Sequence, residues 1–380
     1  MADILKYRSE FPHLNNGHLY LDHAAVSPLN IRSKTAMEQY LNERSGARVN
    51  NYHDTLEKMN EVRDRFARIL SASSDRLAIV QNTTDGFILL ARGYPWKQGD
   101  RIVLHRKEFP SNVYPWYDLK PFGVEIDFIN SDYGEVSPAQ LEKVVTNKTV
   151  LVSVSWVQYL SGYRNNIKAL SDWCHERGIL LAVDAMQGLG SIEYNQNEWQ
   201  ADYISSGTAK WLIGVQGIGL VYISEALQSK IHPPHLGWHS RESFFDFHNY
   251  DQALKPYANR YEFATPASPG IWGTNEALGL LLEVGIQNIQ DRIMSLTDVV
   301  TVGLQSIGFQ ILSNRAIDNI KSGIVVFTHP DRNKNEQIHT QLREQHVTIS
   351  LRENILRVSP HFYNSEEEID KFCTLISESF

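Results

Sequence analysis

The sequence predicts an α/β protein with a large domain built on a mostly parallel β-sheet and a smaller α+β domain after it. From about residue 60 to 225, short runs that are apolar on both faces alternate with helical segments. Such runs are typical of strands buried between two helix layers. Helices between them act as crossovers, so neighbouring strands are expected to run parallel.

The predicted strands and helices of the large domain alternate along the chain. The strand-like RLAIVQN is followed by the helical DGFILLARG, RIVLHRKE by a stretch ending near Pro121, and VEIDFIN by the helical SPAQLEKVV. VLVSVSWV is followed by the helical IKALSDWCHERG, and the strands ILLAVDAMQ, ADYISSG and GLVYIS complete the set. Ser137 is expected to cap the helix in SPAQLEKVV, and Gly178 is expected to end the helix in IKALSDWCHERG.

The character of the sequence changes between residues 229 and 275, which are rich in proline and aromatic residues and show little periodicity. A loop of this length inside a compact protein is usually functional. Long helical segments follow it, then the strand-like GIVVFTH and ILRVSP and the closing helix SEEEIDKFCTLISES. We therefore predict a large domain over residues 16–270. Residues 271–380 are predicted to form a small α+β domain together with residues 1–15.

The composition argues against several classes of protein. The net charge is −8 and the basic residues are scattered, which leaves no surface suited to nucleic acid. No segment approaches the roughly 20 apolar residues that a membrane helix needs. The N-terminus is charged early and lacks an apolar signal core. We expect a cytoplasmic protein that binds neither nucleic acid nor a membrane.

The sequence does not predict a metal site, a disulfide framework or a dinucleotide site. Its two cysteines, Cys174 and Cys373, are too few for a framework or a Cys-rich site. His232, His235 and His239 have spacings that suit a helix, but two prolines between them prevent one and no acidic residue lies there. The glycines of residues 214–219 do not form G-x-G-x-x-G, and they do not open a helix after a strand.

An acid and an amine follow two successive predicted strands. Asp184 ends the strand in ILLAVDAMQ, and Lys210 comes just after ADYISSG. Ligands of open α/β sheets bind beyond the carboxyl ends of strands, so the two groups can face one cavity. Pyridoxal 5′-phosphate (PLP) requires a lysine for its Schiff base and a carboxylate beside its pyridine nitrogen. A helix-capping Asp and a surface Lys are the alternatives, and the spacing alone does not decide between them.

The chain resembles the class V aminotransferase and cysteine desulfurase group of PLP-dependent enzymes of fold type I. The resemblance extends from YLDHAAVSP near residue 20 to LRVSPHFYN near residue 357. It implies the seven-stranded, mostly parallel sheet of that fold and a Schiff base on Lys210. It also implies that Asp184 binds the pyridine nitrogen and that Gln187, in the VDxxQ motif, bonds the phenolic oxygen of the cofactor.

The same resemblance implies how the cofactor phosphate is held. Thr83 and Thr84 lie in a TTDG stretch that is similar to the TTEG-type phosphate turn of the family, although a simple capped helix start is the alternative. A hydroxyl just before the lysine is expected to contribute, from either Ser206 or Thr208. Thr265, in YEFATPASPG, resembles the threonine that reaches the phosphate from the neighbouring subunit, which implies a homodimer.

The substrate side departs from the desulfurase pattern. Phe109 occupies the stacking position where desulfurases carry a histidine, and the loop before the last strand has no cysteine. Arg357 is similar to the arginine that pairs with the substrate α-carboxylate. Tyr159 replaces a desulfurase Asn near the cofactor oxygen, and His23 belongs to a stretch that resembles a substrate-side loop.

We therefore predict a PLP-dependent enzyme that acts at the α-carbon of an amino acid, its small-molecule substrate, with Lys210 and Asp184 as catalytic residues. Transamination is the first choice, which makes the enzyme a transferase. Epimerisation, as in isopenicillin N epimerase-like relatives, and Cβ or Cγ cleavage, as in kynureninase-like relatives, remain open. Cysteine desulfuration or selenocysteine lyase activity is less favoured. The alternative outside catalysis is a relative that keeps the fold as a binding module.

Overall fold

The computed structural model describes residues 4–378. Residues 1–3 and 379–380, which fall within the predicted small domain, lie outside the described residues. In chain order the strands are β1 (Leu19–Tyr20), β2 (Leu77–Val80), β3 (Arg101–His105), β4 (Glu125–Ile129), β5 (Thr149–Ser155), β6 (Leu180–Asp184), β7 (Tyr203–Gly207), β8 (Gly219–Ile223), β9 (Gln310–Ile311), β10 (Val325–Thr328), β11 (Val347–Thr348), β12 (Ser350–Arg352) and β13 (Ile355–Val358).

Twelve α-helices connect and flank these strands within the described residues. They are α1 (Ile31–Ser45), α2 (Tyr52–Leu70), α3 (Thr83–Gly93), α4 (Tyr114–Tyr117), α5 (Pro138–Val144), α6 (Ile167–His175), α7 (Gln196–Trp199), α8 (Glu225–Gln228), α9 (Ser268–Val284), α10 (Ile286–Ser306), α11 (Asn335–Glu344) and α12 (Glu366–Ser377). Within residues 4–378, none of the helices combines the length and the apolar character that crossing a bilayer would require.

The central sheet has seven strands in the order β2-β8-β7-β6-β5-β3-β4, which confirms the predicted fold class. Strands β7, β6, β5, β3 and β4 pair in parallel, as the helical crossovers require. Strand β8 is antiparallel to both β7 and β2. The chain returns from β7 to β8 through residues 208–218, which contain no helix, so this connection reverses the direction of the chain.

Both faces of the central sheet are buried. In β6, Leu181 and Val183 join a hydrophobic cluster that includes residues of α2, α6 and α9. Ala182, which lies between them, points to the other face and joins a second cluster with Phe87 and Leu90 of α3. Burial on both faces explains why the strands consist of continuous apolar residues rather than alternating ones.

The C-terminal part of the chain forms an antiparallel sheet in the order β12-β13-β10-β9. Its hydrophobic cluster includes Leu296 and Val300 of α10 and Phe372 of α12. Strand β1 pairs with β11, although β1 lies on the large-domain side of the predicted boundary. Helix α9, on the small-domain side, packs against α1 and α2. The boundary at residue 270 stays a prediction.

Two local predictions need adjustment. Ser137 occupies the N-cap position of α5, but its side chain caps no backbone N–H, and its Oγ instead lies 3.0 Å from Gln140 Oε1. Helix α6 ends at His175, and Gly178 follows in the left-handed conformation with φ of 68°. That glycine therefore turns the chain toward β6 a few residues after the helix has ended.

Candidate active site

Several parallel strands end at one edge of the sheet and bring their last residues together. Ser155 ends β5 and pairs with Asp184 at the end of β6, which also pairs with Ser205 of β7. Strand β2 runs in the same direction, so α3 begins at this edge as well. A cavity of about 350 Å³ lies here. Eight of the predicted site residues line it: Thr83, Thr84, Phe109, Tyr159, Asp184, Gln187, Lys210 and Arg357.

Lys210 and Asp184 lie at this cavity and influence each other's charge. Burial lowers the pKa of Lys210, and the Asp184 carboxylate partly offsets this effect. Burial raises the pKa of Asp184, while a hydrogen bond from the Met186 backbone N–H to Oδ1 (2.9 Å) opposes that rise. Asp184 Oδ2 receives no hydrogen bond from the described residues, which leaves it free to accept one from a ligand.

The turn that carries Lys210 is fixed by its neighbour Trp211. The Trp211 ring is fully buried, and its Nε1 donates to Gln187 Oε1 at 2.9 Å. Gln187 Nε2 donates to the carbonyl oxygen of Ala24 at 2.9 Å. The Gln187 amide therefore has a fixed orientation, and its second N–H is left available to a ligand oxygen in the cavity.

The start of α3 forms the anion-binding side of the cavity. Asn82 caps the helix, since its Oδ1 accepts the Asp85 backbone N–H at 3.0 Å. Thr84 Oγ1 donates to Ser111 Oγ at 2.8 Å, and both residues line the cavity. A Cβ at Gly86 would clash with Ser205 Oγ, so glycine at this position allows α3 to approach β7 closely. First-turn amides together with these hydroxyls fit a phosphate group.

Phe109 presents an aromatic ring to the cavity. It is 41% exposed, its ring makes an edge-on contact with Tyr159 at 5.2 Å between centroids, and Lys210 Nζ lies 5.5 Å from the Phe109 centroid. The preceding Glu108 is buried and anchors this segment to β5. Its carboxylate accepts the backbone N–H of Ser155 at 2.9 Å and also the Ser155 hydroxyl. The loop that carries Phe109 is thus tied to the strand beside Asp184.

Arg357 is buried at the substrate side of the cavity and is already partly engaged. Its Nη1 donates to the carbonyl oxygen of Tyr159 at 2.7 Å, and its Nη2 lies 3.2 Å from Ser350 Oγ and 3.5 Å from Asp22 Oδ1. Burial lowers the pKa of the guanidinium, while Asp22 acts in the opposite direction. Arg357 Nε is buried and has no hydrogen-bond partner among the described residues.

The two alternatives for the hydroxyl before the lysine, Ser206 and Thr208, do not line the cavity. Ser206 Oγ donates to the carbonyl oxygen of Gly207 at 2.9 Å. Thr208 Oγ1 lies 2.8 Å from the carbonyl oxygen of Val215 and 3.0 Å from that of Ile218. The Ser206 hydroxyl bonds within β7 and the Thr208 hydroxyl bonds across the turn after it. A contribution of either hydroxyl to the phosphate stays a prediction.

His23 and Thr265 also lie outside this cavity. His23 is fully buried, with its ring nitrogens 3.0 Å from the carbonyl oxygen of Ser359 and 2.7 Å from the Tyr363 hydroxyl. Its ring packs against Tyr363 in this structure, and its role toward the substrate stays a prediction. Thr265 lines a separate cavity of about 380 Å³, which Asp85 of α3 also lines. The chain's own Thr265 thus does not reach the cavity of Lys210.

Four residues that the sequence predictions did not include are also part of the site. Ser111, Ser155 and Arg352 line the cavity, and Glu108 anchors the Phe109 loop. Ser111 and Glu108 could have been found from their position around Phe109. Ser155 could have been found because it ends a predicted strand next to Asp184. No sequence signal separates Arg352 from an ordinary surface arginine.

Neither cysteine belongs to the cavity. Cys174 is buried in α6 and Cys373 is half-buried in α12. Burial raises the pKa of Cys174 to about 12 and that of Cys373 to about 11. Both thiols are therefore protonated near neutral pH, which makes them poor nucleophiles.

The residues around the cavity fit PLP. The start of α3 suits the phosphate, the free oxygen of Asp184 suits the pyridine nitrogen, and the amine of Lys210 suits the aldehyde. The Phe109 ring supplies an aromatic surface for stacking. Together with the sheet order, this set of groups defines a PLP-dependent enzyme of fold type I.

The particular family follows from comparison with known proteins. The family described as aminotransferase class-V matches residues 19–372, so the chain belongs to this family. The match confirms the predicted family and, with it, PLP as the cofactor.

Individual relatives and solved structures are similar over nearly the whole chain. An uncharacterized aminotransferase, YcbU, of Bacillus subtilis is 29% identical over 365 residues, covering 96% of this chain and 95% of the relative. A probable cysteine desulfurase of Methanothermobacter thermautotrophicus is 26% identical, covering 98% of this chain and 96% of the relative. The fold matches the apo structure of cysteine desulfurase from Thermococcus onnurineus NA1, with a TM-score of 0.87, 24% identity and coverage of 98% and 97%. It also matches the cystine C-S lyase C-DES in complex with cysteine persulfide, with a TM-score of 0.87, 23% identity and coverage of 97% and 99%.

Proposed function

We propose that this protein transfers the α-amino group of an amino acid to a 2-oxo acid. The observation that carries the proposal is the position of Lys210 as the one amine among the described residues that line the cavity. Neither a histidine nor a cysteine is found among those lining residues. Lys210 is therefore the group best able to take up a proton and return it near neutral pH.

Bound PLP supplies a carbonyl that captures the substrate amine and a ring that accepts electrons from the α-carbon. The protein supplies the proton transfer. Because burial lowers the pKa of Lys210, its amine can take the proton from the substrate α-carbon once the amine is free. Transamination would require a proton to be returned on the far side of the substrate nitrogen, and Lys210 could serve as the single base for both transfers. Asp184, which also lines the cavity, would supply the carboxylate beside the pyridine nitrogen.

Phe109 favours transamination over epimerisation. Epimerisation requires a proton to be removed on one face of the substrate and delivered on the other. If Phe109 stacks on the bound cofactor, its ring has no proton to deliver from that side. The Tyr159 ring contacts Phe109, and burial raises the pKa of the Tyr159 hydroxyl, which makes it a weak acid for this step.

A second candidate is cleavage of a bond at the β-carbon of a sulfur amino acid. The observation that favours it is the repeated occurrence of cysteine desulfurases and of a cystine C-S lyase among the similar proteins. Transfer of sulfur to a protein thiol is disfavoured, because Cys174 and Cys373 lie away from the cavity. Lys210 could still remove the α-proton and let a leaving group depart from the substrate itself.

The products distinguish the two reactions. The PLP-loaded enzyme is incubated with a panel of ¹⁵N-labelled amino acids, with and without a 2-oxo acid acceptor, and the products are identified by mass spectrometry. Transamination predicts label in the new amino acid and turnover that stops without the acceptor. Steady release of labelled ammonia together with sulfide or pyruvate, independent of the acceptor, would support the lyase and contradict the transferase.

We also propose that the enzyme is a homodimer in which Thr265 of each subunit completes the phosphate site of the other. Two placements support this assembly. The chain's own Thr265 lies outside the Lys210 cavity, and its separate cavity is bordered by Asp85 in the first turn of α3. The two cavities therefore share α3, whose first turn carries Thr83 and Thr84 at the phosphate side.

A further inference from the structure

Two arginines of one β-hairpin face the candidate active site. Strands β12 and β13 are joined by Glu353 and Asn354, both in the left-handed conformation, with φ of 49° and 58°. Arg357 pairs with Ser350, which lies two residues before Arg352 on β12, so all three side chains point to the same face. Arg352 and Arg357 are diagonal neighbours, roughly 7–8 Å apart at their backbones.

Both arginines line the Lys210 cavity, but they differ in their partners. Arg357 is buried and contacts Asp22, Ser350 and the Tyr159 carbonyl oxygen. Arg352 is exposed at the cavity edge, and it has neither an ion pair nor a side-chain hydrogen bond with any residue in the described part of the chain. The neighbouring charge of Arg352 also contributes to the lowered pKa of Arg357, after the larger effect of burial. Because little nearby negative charge balances these two adjacent guanidinium groups, they favour the binding of anions.

The charged groups of the cavity exceed what an ordinary amino acid and the cofactor need. The charged side chains that line it are Asp184, Lys210, Arg352 and Arg357. Bound PLP would engage Lys210 and Asp184, and the start of α3 would hold its phosphate. The α-carboxylate of a substrate needs one guanidinium, and the buried, unpartnered Nε of Arg357 marks that position. Neither the cofactor nor an ordinary amino acid then has an acidic group left to pair with Arg352.

We infer that the substrate carries a second acidic group, a side-chain carboxylate as in glutamate or aspartate, and that Arg352 binds it. This inference rests on the proposed function, because it assumes an amino acid that is held at Arg357 and loses the proton of its α-carbon to Lys210. A guanidinium binds a carboxylate through two parallel hydrogen bonds, which gives orientation as well as affinity. Arg352 would thus set specificity without taking part in the proton transfer.

The first experiment measures binding without turnover. Glutarate and its monoamide, glutaramate, differ only in the second acidic group, and calorimetry gives their affinities for the PLP-loaded enzyme. We expect glutarate to bind on the order of fivefold more tightly, since Arg352 is partly screened by solvent. Arg352→Gln should abolish this preference. Arg343→Gln, which removes an exposed arginine of α11 outside the cavity, should retain it.

The second experiment follows exchange of the α-proton with solvent by NMR, using glutamate and glutamine as substrates. We expect the wild type to favour glutamate and Arg352→Gln to lose the preference by slowing glutamate alone. Equal binding and equal exchange of the acid and the amide by the wild type would refute the inference and leave the proposed function standing. A preference for glutarate without α-proton exchange in any amino acid would refute the proposed function instead. Loss of bound PLP from Arg352→Gln would assign Arg352 to the cofactor and overturn the inference.

Discussion

Replacing Glu108 by Gln tests how the segment beside Phe109 is held. The Glu108 carboxylate is buried and accepts hydrogen bonds from Ser155, from Gln158 Nε2 at 2.9 Å and from Asn112 Nδ2 at 3.2 Å. Burial outweighs these bonds and raises the pKa of Glu108 to about 7 from an ordinary value of 4.5. At a pH between these two pKa values, Glu108 is therefore protonated more often in the native state than in the unfolded state.

The sign of the pH effect follows from that difference. The free energy of unfolding should fall as the pH rises through this window, because ionising Glu108 costs more in the native state. A shift from 4.5 to about 7 corresponds to about 3 kcal/mol at 1.36 kcal/mol for each pKa unit. In Glu108→Gln no proton is gained or lost at this position. The free energy of unfolding of the variant should therefore lack this part of the pH dependence. The new amide can change that free energy, but by the same amount at every pH.

Urea unfolding of the PLP-loaded proteins at about pH 5 and about pH 8 measures this difference. The stability of the wild type relative to Glu108→Gln should fall by roughly 2–3 kcal/mol between the two conditions. Glu344→Gln, which replaces an exposed carboxylate of α11, serves as the control and should follow the wild type. Parallel pH dependence of the wild type and Glu108→Gln would refute the reasoning.

Three further predictions concern the site and the assembly. Asp184→Asn should slow α-proton exchange, measured by NMR, by about a hundredfold or more while PLP still binds. The substitution removes the carboxylate charge that would stabilise the charge developing in the cofactor ring when the α-proton leaves. The double variant Cys174→Ala/Cys373→Ala should keep full activity on the true substrate, and loss of activity would return a thiol to the mechanism. Thr265→Ala should weaken PLP retention, and mixing it with inactive Lys210→Ala should restore activity through hybrid sites. A fully active monomer would contradict the shared site.

The sheet and the position of its chemistry could be predicted because both depend on local patterns. The apolar run before Asp184 identifies a buried strand, and the next strand places Lys210 at the same edge. The direction of β8 was not predicted. The apolar run of β8 looks the same in the sequence whether the chain returns through residues 208–218 without a helix or crosses over through one. Fold class and the central pair of groups therefore follow from sequence, while strand direction at the edge of the sheet requires the structure.

The direction of several side chains near the cavity could not be predicted. Ser206 and Thr208 come just before the lysine in sequence, but both hydroxyls bond to nearby carbonyl oxygens and neither residue lines the cavity. His23 precedes a cavity-lining segment, yet it packs against Tyr363, some 340 residues away in sequence. Arg352 reaches the cavity only because its hairpin folds over it. Each of these outcomes depends on contacts between segments that are distant in sequence.

The central claim is that Lys210 holds the cofactor covalently. Borohydride reduction of the PLP-loaded protein fixes the cofactor to the lysine that bears it, and peptide mapping by mass spectrometry identifies that lysine. We expect one adduct for each chain, on Lys210, and no adduct in Lys210→Ala. An adduct on another lysine of the wild type, or no adduct after reconstitution with PLP, would contradict the account.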